Sequence, residues 1–194
     1  MGQFIRRFFV YGLIFVMCFS YKAAAQQQAE SGKTTRVTLG SSSGTPGTSV
    51  VVPLYFTPAD GVEVESLKLV IDFVSKHLKY GKMDPGIAAE MGNVGLNAEV
   101  KEVQNEQGLE NTTLTITASF PTPPEKGIPA GLLGYLTMRI NEDAVPASIS
   151  LRAAAEATEL KTNKPITDLL ATSATVDVLA PGTQPLVTCF IFSH

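Results

Sequence analysis

Tryptophan is absent, and histidine and cysteine each occur only twice in 194 residues. The histidines are His77 and His194, and the cysteines are Cys18 and Cys189. Apart from the C-terminal His194 only His77 is present, at the edge of an expected turn, so neither a Ser-His-Asp nor a Cys-His arrangement is expected, and no Cys/His set has metal-ligand spacing. No D-x-D-x-D-G calcium loop is present either. Carboxylates are plentiful, but glycoside hydrolysis needs a facing pair in a cleft. Glu63, Glu65 and Glu99 flank expected strands, and Glu142-Asp143 sits in a turn. The sequence therefore predicts a non-enzyme with no catalytic residues, metal or cofactor. Basic charge is also short: Lys and Arg number 15 against 18 Asp and Glu, a net charge of −3. That balance argues against nucleic acid and anionic membranes as partners.

Long apolar runs are lacking as well. Phe8–Phe19 is shorter than the ~20 residues of a spanning helix. It follows Arg6 and Arg7 and precedes Ala23-Ala24-Ala25, the pattern of a secretory leader cut after Ala25. The predicted organisation is a signal peptide over 1–25, a flexible leader over 26–33, one domain over 34–180 and a tail over 181–194. Cleavage removes three basic residues and no acid, which leaves 12 basic residues against 18 acidic ones. It also leaves Cys189 as the single cysteine, so the domain must hold together without an intrachain disulfide. The expected location is secreted or on the cell surface, with no stable membrane span.

Short β-rich runs fill the domain. Thr35–Leu39 is followed by a Gly/Ser/Pro turn cluster over 40–47 and a long run over Thr48–Phe56. Pro53 cannot donate to a ladder, so this strand is expected at an edge, or bulged, or switching sheets there. Residues 81–97 look irregular, with a short helical turn fitting Ile87–Met91. Strands are expected over 98–103, 112–120, 133–140, 148–152 and 173–179. The stretches 153–157 and 160–166 read as weaker elements, and Ala153–Ala155 is too short to stand alone as a helix. Pro121–Gly127 is a stiff loop that breaks pairing.

The chain is organised around Val64–Leu78. With a period of two, Leu67, Leu69, Ile71 and Phe73 point one way, and Ser66, Lys68, Val70 and Asp72 the other. A helix competes, because Val64, Leu67, Ile71, Val74 and Leu78 recur at alternating spacings of three and four. The surrounding Val, Ile and Thr-rich alternation decides for a strand, ending after Asp72 in a turn or a single helical turn. The whole pattern describes an all-β sandwich. Leu67, Leu69, Ile71, Leu114, Ile116, Ala118, Leu136 and Met138 are its expected core.

Three stretches together resemble cohesin modules. They are Val37–Gly40 with Gly44-Thr45-Pro46-Gly47 and the valine-rich run to Pro53-Leu54, then Gly61-Val62 with Leu67-x-Leu69-x-Ile71-Asp72 and Leu78, then Gly131–Ile140. The resemblance spans about Thr34 to Ala180. It implies a jelly-roll sandwich of about nine strands that works by binding a protein, for which the family's partner is the dockerin, a helical module attached to polysaccharide-degrading enzymes. The family's polar contact positions, aligned on Asp72, fall on Val64 and Ser66, and Asp72-Phe73 stands where the family has Asp-Pro. Its polar contact loop is replaced by Pro121–Pro124.

Alternation and resemblance together place a partner-binding face on Ser66, Lys68 and Val70, joined by Lys101 or Glu102 and by Thr113, Thr115 and Thr117. Val70 should lie near its middle. Two rival functions remain, a surface assembly domain with a non-dockerin protein partner and a carbohydrate-binding module. Polysaccharide is the lesser partner, because sugar platforms need exposed aromatic faces. After leader removal the chain keeps only Tyr55, Tyr80 and Tyr135 as tyrosines, and Phe56, Phe73 and Phe120 alternate inward. No exposed aromatic row is expected.

Overall fold

The computed structural model describes residues 32–104 and 110–183. The expected signal peptide, the flexible leader up to residue 31, the Asn105–Gly108 reversal and the tail from Gln184 onward lie outside the described residues. Eleven strands and one short helix are described. In chain order they are β1 (Thr35–Leu39), β2 (Ser42–Gly44), β3 (Ser49–Thr57), β4 (Val64–Val74), β5 (Leu78–Pro85), α1 (Ile87–Gly92), β6 (Gly95–Gln104), β7 (Glu110–Ser119), β8 (Gly131–Ile140), β9 (Ala147–Glu159), β10 (Leu169–Thr172) and β11 (Ala174–Val178). Two sheets form, in the orders β10-β1-β3-β8-β5 and β2-β11-β9-β4-β7-β6. The molecule is an all-β jelly-roll sandwich with two strands more than the expected nine.

The unexpected strands are ones whose pattern is short or broken. β2 lies within the turn cluster and pairs in parallel with β11. β10 pairs in parallel with β1. β5 carries Lys79, Gly81, Lys82 and Asp84, and its register with β8 shifts between Tyr80 and Lys82, so no clean alternation marks it. The chain changes sheets over Gly40-Ser41, and again at the single residue Ser173, whose Oγ accepts the Ala153 N–H at 3.0 Å. α1 matches the helical turn expected at Ile87–Met91, and β4 is a strand that runs on to Val74 before its turn.

Pro53 does not lie on an edge, because β3 sits between β1 and β8. Its missing N–H costs little where it stands. The β1 ladder ends at the Leu39–Leu54 pair, the Gly40 N–H donates to the Pro53 carbonyl at 2.8 Å, and the register with β8 shifts just beyond, between Leu54 and Tyr55. The Pro53 carbonyl faces β1, so its missing N–H faces the same way, where the ladder has already ended and no bond is lost.

Inward-facing side chains of both sheets form one apolar cluster. All eight expected core residues are at most 2% exposed. The inner side of β9 carries Ile149 and Leu151 and then alanine where it pairs with β4, and the register sets Leu67, Leu69 and Ile71 of β4 beside Ala157, Ala155 and Ala153. Large side chains therefore alternate with small ones across this pair, which lets the layer fill without voids.

The proline-rich loop before β8 is fastened to β4. The Ile128 N–H donates to the Val64 carbonyl at 2.8 Å, and a Cβ on Gly127 would fall 2.5 Å from the Val64 nitrogen. Only glycine fits so close to a neighbouring backbone. Gly127→Ala should lower stability by about 1–3 kcal/mol, as other overpacking does. An unchanged urea midpoint would show that the loop is not held there.

Candidate partner-binding face

β4 lies inside its sheet, with β9 on one side and β7 then β6 on the other. Its ladders satisfy the backbone on both flanks, so its outward side chains are free to face a partner. Three cross-strand rows result. Lys68 stands between Glu156 and Thr117, Val70 between Ala154 and Thr115, and Asp72 between Arg152 and Thr113. β6 extends them, with Asn97 beside Thr117, Glu99 beside Thr115 and Lys101 beside Thr113.

The rows differ in charge. Lys68 Nζ lies 3.6 Å from Glu156 Oε2, with both side chains at least half exposed, so this pair contributes little to stability. The Thr113 hydroxyl donates to Asp72 Oδ1 at 2.6 Å, which holds the carboxylate on the sheet and leaves Arg152 and Lys101 as the cations of that row. Between the two charged bands, Ala154, Val70 and Thr115 make an uncharged stripe that ends at Glu99 on β6. Lys68, Val70, Lys101, Thr113, Thr115 and Thr117 are thus brought onto one face, with Val70 centrally placed.

Two expectations need correction. Glu102 pairs with Thr112, whose side chain is buried, so Glu102 belongs to the opposite side from Lys101. Val64 is fully buried and offers no contact position. The register shifts between Val64 and Ser66; this bulge inserts Glu65 and resets the alternation, so that Val64 and Leu67 both turn inward. Ser66 remains accessible, at the rim of a cleft that Glu65, Ser119, Phe120 and the Pro121–Pro124 loop line. Phe120, expected in the core, is half-buried and forms part of that wall.

Alternation put Asp72 on this side, but sequence reasoning missed Asn97, Glu99, Arg152, Ala154 and Glu156 as members of the face. The last three lie in a strand whose two sides both carry alanine, so alternation hardly marks it. The polar spacing Arg152-x-Ala154-x-Glu156 was the available signal.

The other sheet corrects the expectation about aromatics. Tyr55 on β3 and Tyr135 on β8 are 44% and 38% exposed, and both point outward, away from the core. Tyr80 on β5 is half-buried, and burial, helped by the nearby Asp84 charge, raises its phenol above the ordinary value. Among the described residues no group of three or more His, Cys, Asp and Glu could hold a metal ion, and no described helix is long and apolar enough to cross a membrane.

The molecule is thus an antiparallel-rich sandwich of two sheets, one with an open outer face centred on β4. Among solved structures, that architecture is the cohesin fold. The third cohesin of ScaC from Acetivibrio cellulolyticus, solved with the ScaB dockerin, is 17% identical, with a TM-score of 0.57 over 75% of this chain and 99% of that one. The seventh ScaB type I cohesin from Pseudobacteroides cellulosolvens is 17% identical, with a TM-score of 0.57 over 82% of this chain and 99% of that one. A non-cellulosomal cohesin from the archaeon Archaeoglobus fulgidus is 16% identical, with a TM-score of 0.55 over 75% of this chain and 91% of that one. No protein-family model matches the chain, and no curated protein sequence does.

Proposed function

We propose that this chain is an exported, non-catalytic docking module that presents the outer face of β9, β4, β7 and β6 to a protein partner. The observation that carries this reading is the uncharged Ala154–Val70–Thr115 stripe between two charged bands. An interface of this kind desolvates its centre and leaves its charges at a solvated rim. The partner we assign is a dockerin-like helical module. Similar folds are known in complex with dockerins, and a flat sheet face with an aliphatic centre suits the apolar side of a helix. Attachment of that partner to polysaccharide-degrading enzymes, and export by the 1–25 leader, complete the proposal.

The test uses Gln26–His194 as immobilised bait for the secreted proteins of its source and for purified calcium-loaded dockerins. Ser66→Arg sets a bulky cation at the cleft rim and should weaken capture at least about tenfold through lost complementarity. Val145→Asp, on an exposed residue outside the face, should leave capture unchanged. Equal capture by all three proteins would remove the face from the interaction. Capture of secreted proteins with no dockerin among them would replace the assigned partner.

A further inference from the structure

We propose that the outer face of the five-stranded sheet is a second binding site, and that its ligand is an acidic polysaccharide chain of the polyuronate type. The inference is independent of the docking face, which lies on the opposite side of the sandwich.

The register places the aromatic residues together. Tyr135 stands beside Pro53 across the β3–β8 ladder, and Tyr55 lies two residues further along β3. A register shift between Leu54 and Tyr55 sets Tyr55 opposite Leu132, so the two tyrosines share the outer face on either side of the irregularity. Val51, 48% exposed, and the half-buried Pro53 continue the apolar surface along β3. Two phenol rings on one sheet face offer broad apolar faces with hydroxyl tips, the chemistry that packs on the C–H faces of pyranose rings while bonding their hydroxyls.

Charge selects among sugars. Arg36 and Lys79 join Lys82 and Arg139 on this face, against Asp84 and Glu142. Lys82 Nζ pairs with Asp84 Oδ2 at 2.9 Å, and Arg139 pairs loosely with Glu142 at 3.6 Å. Among the described residues Arg36 and Lys79 have no ion pair, and Arg36 Nε is enclosed without any hydrogen-bond partner. The docking face is different, with Lys68, Lys101 and Arg152 balanced by Asp72, Glu99 and Glu156. A cationic excess on one face of a chain with net charge −3 stands out against the whole. Two exposed tyrosines beside a net cationic excess fit a ligand that repeats ring faces and carboxylates, as a polyuronate does. An acidic peptide supplies the carboxylates and no ring faces.

The experiment is affinity electrophoresis of Gln26–His194 through gels containing polygalacturonate, neutral galactan or polyglutamate at low salt. Retardation should occur with polygalacturonate, and much less with the other two. Tyr135→Thr and Tyr55→Thr, which keep strand propensity, should each reduce retardation about fivefold to tenfold. Lys79→Glu should reduce it as well, and Ile87→Ser, on the exposed side of α1, should not. Thermal unfolding of each variant separates lost binding from lost folding. The proposal is overturned by absence of retardation in polygalacturonate, or by equal retardation in polyglutamate. Loss with Lys79→Glu but not with either tyrosine variant would reduce the face to an ion exchanger, and equal retardation in galactan would remove its acid selectivity.

Discussion

Leu69→Ala is expected to remove about 2–5 kcal/mol of stability, toward the upper end of that range. Leu69 is 1% exposed and stands between Ile116 on β7 and Ala155 on β9. The cost of such a deletion depends on how far neighbours collapse into the vacated space. Here one flank is already alanine and cannot reach, and the other is a β-branched residue locked in its own ladder, so a cavity should persist. Domains of this size hold ~5–15 kcal/mol in all, and the midpoint of thermal unfolding should fall by roughly 4–20 °C. Ile116→Ala should behave alike. A loss within error of zero would mean that the strand faces the other way.

Val70→Asp should do the reverse, abolishing partner capture while the fold stays intact. Val70 is half-exposed in the middle of the face, so in the free protein the new carboxylate stays hydrated. Its effect on stability should remain within the ~1 kcal/mol span of strand propensities, a shift of a few degrees. In a complex the same carboxylate would be desolvated between Ala154 and Thr115, neither of which carries charge. Such burial without a cationic partner costs several kcal/mol, so affinity should drop about a hundredfold or more. Calorimetric titration with the captured partner measures the first effect, and thermal unfolding the second. Capture that survives both Val70→Asp and Ser66→Arg would place the binding surface elsewhere.

How far the sequence could be read depended on contrast between the two sides of each strand. β4 and β7 set Leu and Ile against Lys, Asp and Thr, so their facing, their core residues and half of the face proposed for docking were legible. β9 has alanine on both sides, and hydropathy barely distinguishes Ala153 from Ala154, so its share of the face was not. β5 lost its period at the irregularity near Gly81. Val64 was assigned to the wrong side for a related reason: the bulge at Glu65 shifts the phase by one residue, and the Val64-to-Leu67 spacing of three was its only trace. The tyrosines were few enough to suggest that none formed a platform. Only the β3–β8 register, with its own irregularity beyond Leu54, shows that two of the three share the outer face.

The parallel pairings of β1 with β10 and of β2 with β11 bear on how the chain reaches its native state. They join residues near the start of the domain to residues near its end, as with Thr175 and Ser41, 134 positions apart. Contacts of such high order are slow to form, because the loop-closure entropy is paid before they contribute. During synthesis β1 and β2 must wait, unpaired on those sides, until the last strands emerge. A nascent chain that has released everything up to Pro165 still has an open seam along one side of the sandwich. Under the export proposed above, such a delay is favourable: the chain remains translocatable until its end is made, and closure of the seam falls on the far side.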